Sequence, residues 1–258
     1  SRTEPGRSFR DYPTDPFFTQ WEYEFTTETV QFHVQDAWQV NDDLRLEFGF
    51  KSVVVDVEAD TVTGDNKTGK IKTDEKFLPQ LGFVYALDDR NEVFGDVARN
   101  VRALIGSATG TSPFSATQAA FEEIRGTIEP ETATTWELGW RFHGDALEGV
   151  VTAYYVDFED RVLAIQQGSA IIGAFNALAN VGSVETIGIE AGLNWQVNDW
   201  LYWFNSASYN KSTYEDDFVS GDTPVPVSGK TVVDSPEWLF NSEIGIETER
   251  AFAKLHVK

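Results

Sequence analysis

Residues 185–198 read ETIGIEAGLNWQVN, and this stretch decides the fold class. Its odd positions from 187 onward are Ile187, Ile189, Ala191, Leu193, Trp195 and Val197, and its even positions are Gly188, Glu190, Gly192, Asn194, Gln196 and Asn198. Successive side chains of a β-strand point to opposite faces, so the segment presents one apolar face and one polar face. A helical period of 3.6 residues cannot sort the two sets in this way.

The same alternation recurs in segments 44–51, 134–143, 150–159 and 238–247. One face is built from the even positions of 44–50, 134–142, 150–158 and 238–246 and the odd positions of 187–197. Of its 25 positions 22 are apolar, none is charged, and the exceptions are Thr134, Thr152 and Ser242. The opposite 25 positions hold ten charged residues and four apolar ones, Val151, Ala153, Tyr155 and Leu239. About ten strand-like segments follow outward from these, at 23–39, 43–57, 77–87, 91–100, 132–143, 147–165, 184–198, 200–214, 236–248 and 251–258. One short helix is expected, where Ser115-x-x-Gln118 precedes AAFEEI as a capping box.

The connections alternate in length. Val40-Asn41-Asp42-Asp43, Asp88-Asp89-Arg90, Gly144-Asp145-Ala146, Asn198-Asp199 and Glu249-Arg250 read as tight hairpin turns. Longer stretches near 58–76, 101–131, 166–183 and 215–235 lie between them. Short turns on one edge and long loops on the other suit an up-and-down transmembrane β-barrel. Trp38, Trp140, Trp195 and Trp200 cluster at strand ends beside the short turns, where an interfacial aromatic girdle would sit. A secreted β-sandwich also alternates, but its strands typically run about 5–6 residues, shorter than several of these. No linker, composition break or internal sequence repeat divides the chain, which reads as one domain.

Composition narrows function. Of 258 residues, 42 are acidic and 20 basic, a net charge of −22 that repels a phosphate backbone, so a nucleic-acid partner is not expected. The sequence has no Cys, and its three histidines, His33, His143 and His256, have no ligand spacing, so neither a metal site nor a Cys nucleophile is expected. Aromatics reach 14%, in keeping with a β-rich chain. No G-x-S-x-G, P-loop or dinucleotide fingerprint occurs, and the chain reads as a non-enzyme without a cofactor. The uncharged stretch 162–184 is too polar for a transmembrane helix, with Gln166, Gln167, Asn176 and Asn180 inside it. SRTEPGRSFR at the start has no apolar core of a signal peptide, so an export signal is expected upstream of Ser1.

Five stretches resemble the barrel domain of TonB-dependent outer-membrane receptors. Pro130-Glu131-Thr132, followed by TTWELGWRF and GVVTAYYVDFEDRV, is similar to that family's P-E-x-x-x-x-x-E-x-G strand and the D-R strand after it. Asn180-Val181-Gly182 through SVETIGIEAGLNWQV is similar to an N-x-G…G-x-E strand, with Gly188 and Glu190 in the Gly and Glu places. Residues 77–104 carry Pro79, Gly82 and Tyr85 of a P-x-x-G-x-x-Y hairpin, and 229–247 resembles a loop-to-strand transition ending in proline. Residues 30–51 resemble a D-x-W…L…G-x-R hairpin, with Lys51 where arginine is usual. Together they span residues 30–250. The resemblance implies an all-β, antiparallel transmembrane barrel of 22 strands filled by a plug, of which residues 1–258 would be a fragment of about ten strands lacking the plug and the closing strands. It implies an outer-membrane receptor for active, TonB-energised uptake of a scarce nutrient, a ferric siderophore foremost. The implied partners are the TonB complex, the extracellular ligand, outer-membrane lipid and lipopolysaccharide. A passive porin-like barrel and a secreted β-sandwich adhesin or carbohydrate-binding module are the alternatives.

Candidate site residues follow from the pattern. Glu137, Asp157, Glu159, Glu190, Glu243 and Glu247 are expected on the polar face, as a ligand path or as a solvated wall paired with Arg45, Lys51 and Arg141. Asp56-x-Glu58-x-Asp60 and Glu215-Asp216-Asp217 are acidic clusters at expected loop edges, for divalent cations or for solvent. Phe17, Phe18, Trp21 and Tyr23, with Phe114, Phe121 and Phe175, are loop aromatics that either stack on a ligand or pack the loops together. By length and composition, loops 101–131 and 166–183 are the expected ligand contacts, with no single ligand residue assigned.

Overall fold

A computed structural model describes residues 22–63, 68–107, 112–115, 118–167, 175–220 and 223–258. Ten strands form one open antiparallel sheet: β1 (Glu22–Gln39), β2 (Leu44–Thr63), β3 (Gly69–Ala86), β4 (Asn91–Arg102), β5 (Glu131–His143), β6 (Leu147–Glu159), β9 (Val184–Asn198), β10 (Leu201–Tyr214), β13 (Trp238–Glu247) and β14 (Phe252–Val257). Two small hairpins stand apart from it, β7 (Val162–Gln167) with β8 (Phe175–Asn180) and β11 (Phe218–Ser220) with β12 (Thr223–Val225). Sheet order follows chain order, the meander of an up-and-down barrel. The only sheets beside it among the described residues are these two-stranded hairpins, too small to be the second layer of a sandwich, so the sandwich alternative falls.

The tight turns are held by their own side chains. Asn41 Oδ1 accepts from the amides of Asp43 and Leu44, and Asp88 Oδ1 accepts from those of Arg90 and Asn91. These are Asx-type turns, which satisfy backbone donors that the ladder leaves over. The Asn91 side chain adds bonds to Asp88, and together these hold the Asp88 carboxyl below the usual carboxylate range, the Asn91 carboxamide having the largest effect.

Cross-strand register assigns the faces. Leu46 pairs with Phe83, Trp136 with Tyr155, Tyr155 with Ile187, and Trp203 with both Trp195 and Ile244. These residues share the apolar face, where Phe48, Leu138, Ile187 and Phe240 lie open. Four of the five sequence segments keep their expected faces and β6 does not. Its odd residues Val151, Ala153 and Tyr155 lie on the apolar face, while Val150, Thr152, Tyr154, Val156 and Phe158 join the polar one. Both faces of β6 are apolar in sequence, so alternation alone could not orient it.

The apolar band has the height of a bilayer core. Ile187 to Val197 is ten residue steps, about 33 Å of strand and about 25 Å of height at a tilt near 40°. Two aromatic girdles bound it. Trp195 and Trp203 (ring centroids 6.4 Å apart) stand near the tight turns, and Trp136–Tyr155 (5.3 Å) and Tyr209–Trp238 (4.8 Å) stand near the long loops. The sequence pattern pointed to the first girdle only.

Beyond that second girdle, β2 and β3 continue where a loop was expected over 58–76. Here the polarity inverts. The side continuous with the apolar face carries Asp56, Glu58 and Asp60 opposite Lys70 and Lys72. The other side carries Val55, Val57, Ala59 and Ile71, buried beneath Leu104, Phe114 and Phe121 of the β4–β5 connection and Val162 of β7. That connection folds into a 3-10 turn (Pro113–Ser115) and helix α1 (Gln118–Ile124). Of the expected capping box, the Ser115 side chain lies outside the described residues. The Gln118 carboxamide accepts from the Thr68 amide at 3.0 Å and donates to the Thr68 carbonyl at 3.3 Å.

Candidate functional site

The polar face reads as cross-strand rows. One row runs Glu47, Gly82, Asp96, Glu137, Tyr154, Gly188, Asn210 across β2 to β10. Below it, toward the tight turns, Arg45 pairs with Glu47 at 2.8 Å and Arg141 pairs with Glu92. On β13 and β14, Glu243 accepts from Tyr202 Oη at 2.7 Å and Lys254 Nζ at 3.3 Å, with His256 Nδ1 3.6 Å away. Asp96, Glu137 and Glu190 make no ion pair among the described residues. Lys51, expected to pair with a carboxylate, makes none there either.

Two glycines let aromatic rings lie flat on this wall. An added Cβ at Gly188 would stand 2.3 Å from the Tyr154 ring carbon that bears the hydroxyl, and at Gly245 2.1 Å from the corresponding carbon of Tyr202. The Tyr154 ring therefore crosses β9, and its hydroxyl reaches Asn210 Oδ1 on β10 at 3.3 Å. The Gly188 of the N-x-G…G-x-E pattern is a place for a neighbour's ring.

Beside the charged rows stands a neutral ladder. Thr186 and Ser212 hydroxyls meet at 2.8 Å, Asn210 Nδ2 donates to Ser235 Oγ at 2.9 Å, and Asn241 Nδ2 donates to Ser206 Oγ at 3.2 Å. On β9, β10 and β13 these hydroxyls and carboxamides lie beside the carboxylates Glu190 and Glu243, whereas β2, β4 and β5 offer mainly charges.

The long connections are tied down by two motif residues. Glu131 is buried, and its Oε2 accepts from Arg102 Nη1 at 2.8 Å while its Oε1 accepts from the Val162 amide at 2.9 Å. Asn180 Oδ1 accepts from the Glu129 amide at 2.9 Å, and its Nδ2 donates to the carbonyls of Glu129 (3.0 Å) and Asp160 (2.7 Å). Asp160 holds a left-handed backbone, φ 56°. Glu131 and Asn180 thus clasp the β4–β5 connection to the β7–β8 hairpin.

The sequence-expected residues divide. Glu137, Glu190, Glu243 and Glu247 lie on the polar face as expected. Asp157 and Glu159 do not: β6 turns them to the other side, where Glu159 pairs with Arg99 at 2.9 Å. Asp56, Glu58 and Asp60 sit in strand, with Lys70 3.4 Å from Asp56. Asp216 accepts from the Ser183 amide and Asp217 from those of Val227 and Ser228, so these two carboxylates staple loops. Phe114 and Phe121 stack at 4.9 Å and are fully buried, Phe25 packs edge-on to Phe114, and Tyr23 lies beside Phe25, which is loop packing. Phe17, Phe18 and Trp21 lie outside the described residues, as does the Phe175 side chain. Asp96 was missed because β4 alternates weakly. The neutral ladder was missed because serines and asparagines carry little signal one at a time. No group of three or more His, Asp or Glu that could hold a metal occurs among the described residues.

One sheet of long antiparallel strands in chain order, with one open apolar face and one hydrogen-bonding face, is an arc of a transmembrane β-barrel. The family model "TonB dependent receptor-like, beta-barrel" matches residues 2–250, and the chain belongs to this family. The apolar face is therefore the lipid side and the polar face the lumen side. The fold is similar to the unliganded ferric citrate transporter FecA, at TM-score 0.68 and 17% identity over 95% of this chain and 34% of that one. It is similar to the copper transporter OprC, at 0.65 and 15%, over 89% and 35%. It is also similar to the ferripyoverdine receptor of the outer membrane of Pseudomonas aeruginosa, at 0.61 and 16%, over 89% and 27%. The chain thus spans about a third of the length of these structures. Curated protein sequences provide no match.

Proposed function

We propose that this chain is barrel wall and extracellular cap of an outer-membrane receptor that takes up a scarce nutrient, a ferric siderophore foremost, with energy relayed by the TonB complex. It supplies about ten of the family's 22 strands, and a plug and the closing strands complete the working receptor. The observation that carries the reading is the family match over residues 2–250, borne on a sheet whose lumen side has free carboxylates and hydroxyls. The solved structures of similar fold, titled as transporters of ferric citrate and copper and as a ferripyoverdine receptor, support metal-chelate cargo. The charged belt of Asp56, Lys70, Lys72 and Asp74 just beyond the apolar band suits contact with outer-leaflet headgroups and lipopolysaccharide.

The test is genetic. The gene encoding the chain is deleted, and uptake of radiolabelled iron supplied as siderophore is followed with the proton gradient intact and collapsed. Loss of uptake on deletion, restored by the gene and abolished by collapse of the gradient, is the expected result. Uptake that persists after collapse makes the protein a passive pore. Uptake indifferent to deletion overturns the iron assignment.

A further inference from the structure

The lumen side is partitioned. β2, β4 and β5 carry most of its charges, Arg45, Glu47, Lys51, Glu92, Asp96, Glu137 and Arg141, whereas across β6, β9, β10 and β13 hydroxyls and carboxamides surround the carboxylates Glu190 and Glu243. Two adjacent rows of the second region are Thr152–Glu190–Ser208–Leu239 and Val150–Gly192–Ser206–Asn241. They line an open hollow of about 330 Å³ on the sheet face. Gly192 forms its floor: a Cβ added there would meet only Val150 Cγ1, at 3.5 Å, which is ordinary contact. The hollow exists because that position has no side chain.

Its chemistry is specific. Glu190 supplies a carboxylate with no ion-pair partner among the described residues, and Thr152, Ser206 and Ser208 supply hydroxyls that donate or accept. Asn241 is oriented by its bond to Ser206, and Leu239 closes one side with an apolar wall. A lone carboxylate among hydroxyls and a carboxamide matches a neutral group bearing several hydroxyls. The carboxylate takes charge-assisted bonds from them, and the hydroxyl residues complete the shell. An anionic group would be repelled by Glu190. An apolar one would strip water from five polar side chains without return.

We infer that this hollow is a subsite for a neutral, polyhydroxylated portion of the transported ligand, and that the side of the lumen above it, past Asn210 and Thr186, is the one along which that portion passes. The inference rests on the lumen being the uptake route. The chemistry can come from a saccharide or from the hydroxyl-bearing periphery of an uncharged ferric chelate.

The test uses cells whose sole receptor of this family is the full-length protein. Two radiolabelled probes are offered, maltotriose and an uncharged ferric trihydroxamate whose peptide backbone carries serine hydroxymethyl groups. Surface binding is read with the proton gradient collapsed, and uptake with it intact. Gly192→Leu fills the hollow sterically, and Glu190→Gln removes its charge while keeping its shape. Each is expected to lower uptake of the accepted probe at least tenfold while surface binding changes less than twofold. A variant that fails to fold loses both readouts, and the other variant then decides. Uptake of maltotriose alone identifies a saccharide source, and uptake of the trihydroxamate alone a chelate. Unchanged uptake in both variants, or a wild-type receptor that accepts neither probe, overturns the inference. If wild-type uptake ignores the proton gradient but still falls in Gly192→Leu, the energised reading fails and the subsite stands.

Discussion

Replacing Glu131 tests whether the two long connections are one mechanical unit. Its carboxylate has two duties of different worth. Oε1 is the acceptor for the buried Val162 amide, and losing that acceptor leaves a buried donor unsatisfied, at about 1–3 kcal/mol. Oε2 pairs with Arg102, whose side chain is 65% exposed, so that half contributes only about 0–1 kcal/mol. Glu131→Ala should therefore cost about 2–3 kcal/mol locally, and Glu131→Gln, which keeps an acceptor for Val162, under about 1 kcal/mol. The readout is hydrogen exchange in the full-length receptor at the amides of Arg161 and Val181, which close the base of the β7–β8 hairpin by bonding Gly182 and Arg161 carbonyls. At about 1.4 kcal/mol per factor of ten, a loss of 2 kcal/mol makes these amides exchange about 30-fold faster in the alanine variant. They should be little changed in the glutamine variant. Equal acceleration in both would mean that the ion pair, not the Val162 bond, holds the hairpin. No acceleration in either would refute the clasp.

Phe121→Ala empties a fully buried site that stacks on Phe114 and should cost about 3–5 kcal/mol of cap stability, seen as proteolytic nicking in the 101–131 connection while the barrel stays intact. Gly188→Ala places a methyl 2.3 Å from the Tyr154 ring and should lower the yield of heat-modifiable folded barrel, with recovery in the double variant Gly188→Ala, Tyr154→Ala. Asp88 is held ionised in its turn, so its contribution is present above the unfolded carboxylate value near 4 and is lost as pH falls through the lower folded value; thermal midpoints of wild type and Asp88→Ala should differ at pH 7 and converge as the pH is lowered past that folded value. Phe48→Lys puts a charge near the middle of the lipid-side band and should cost about 2–4 kcal/mol in folding into bilayers, whereas Glu58→Lys, above the band, should cost under about 1 kcal/mol, from the like charge it sets opposite Lys70.

Most of the sheet was legible because the solvent differs on its two sides. Wherever one face meets hydrocarbon and the other water, alternation is forced, and β2, β5, β9 and β13 show it. β6 was misoriented because LEGVVTAYYVDFE is apolar on both faces, and only its neighbours decide it: Trp136 and Ile187 flank Tyr155, which fixes the odd residues to lipid. The lumen side tolerates Phe158 there because it packs against Val184, Tyr214 and Val232, while Val150 lies open beside the hollow. Buried aromatics of the cap could be listed from sequence but not placed. Phe114 and Phe121 find Val57 and Ile71 through contacts between distant segments, which no local period encodes.

The polarity inversion along β2 follows from the same physics. From Leu44 to Val54 the even residues, Ser52 excepted, are apolar, because that side meets lipid. From Asp56 to Asp60 the even residues are acidic and the odd residues Val55, Val57 and Ala59 are buried. Against β1 the strand keeps its pleat throughout, and β3 takes up one extra residue opposite Lys51–Val53. What changes is which side is wet, since beyond the bilayer the former lipid side meets water and the former lumen side meets a folded loop. A reader of alternation alone sees the acidic run Asp56-x-Glu58-x-Asp60 as the end of a strand, and so 58–76 was expected as loop. Read together with Lys70 and Lys72 across the ladder, the same run marks where the strand leaves the membrane. The cap is therefore seated on a continuation of the barrel wall itself. This gives the β4–β5 connection a rigid base, which a loop hung between two strand ends would not have.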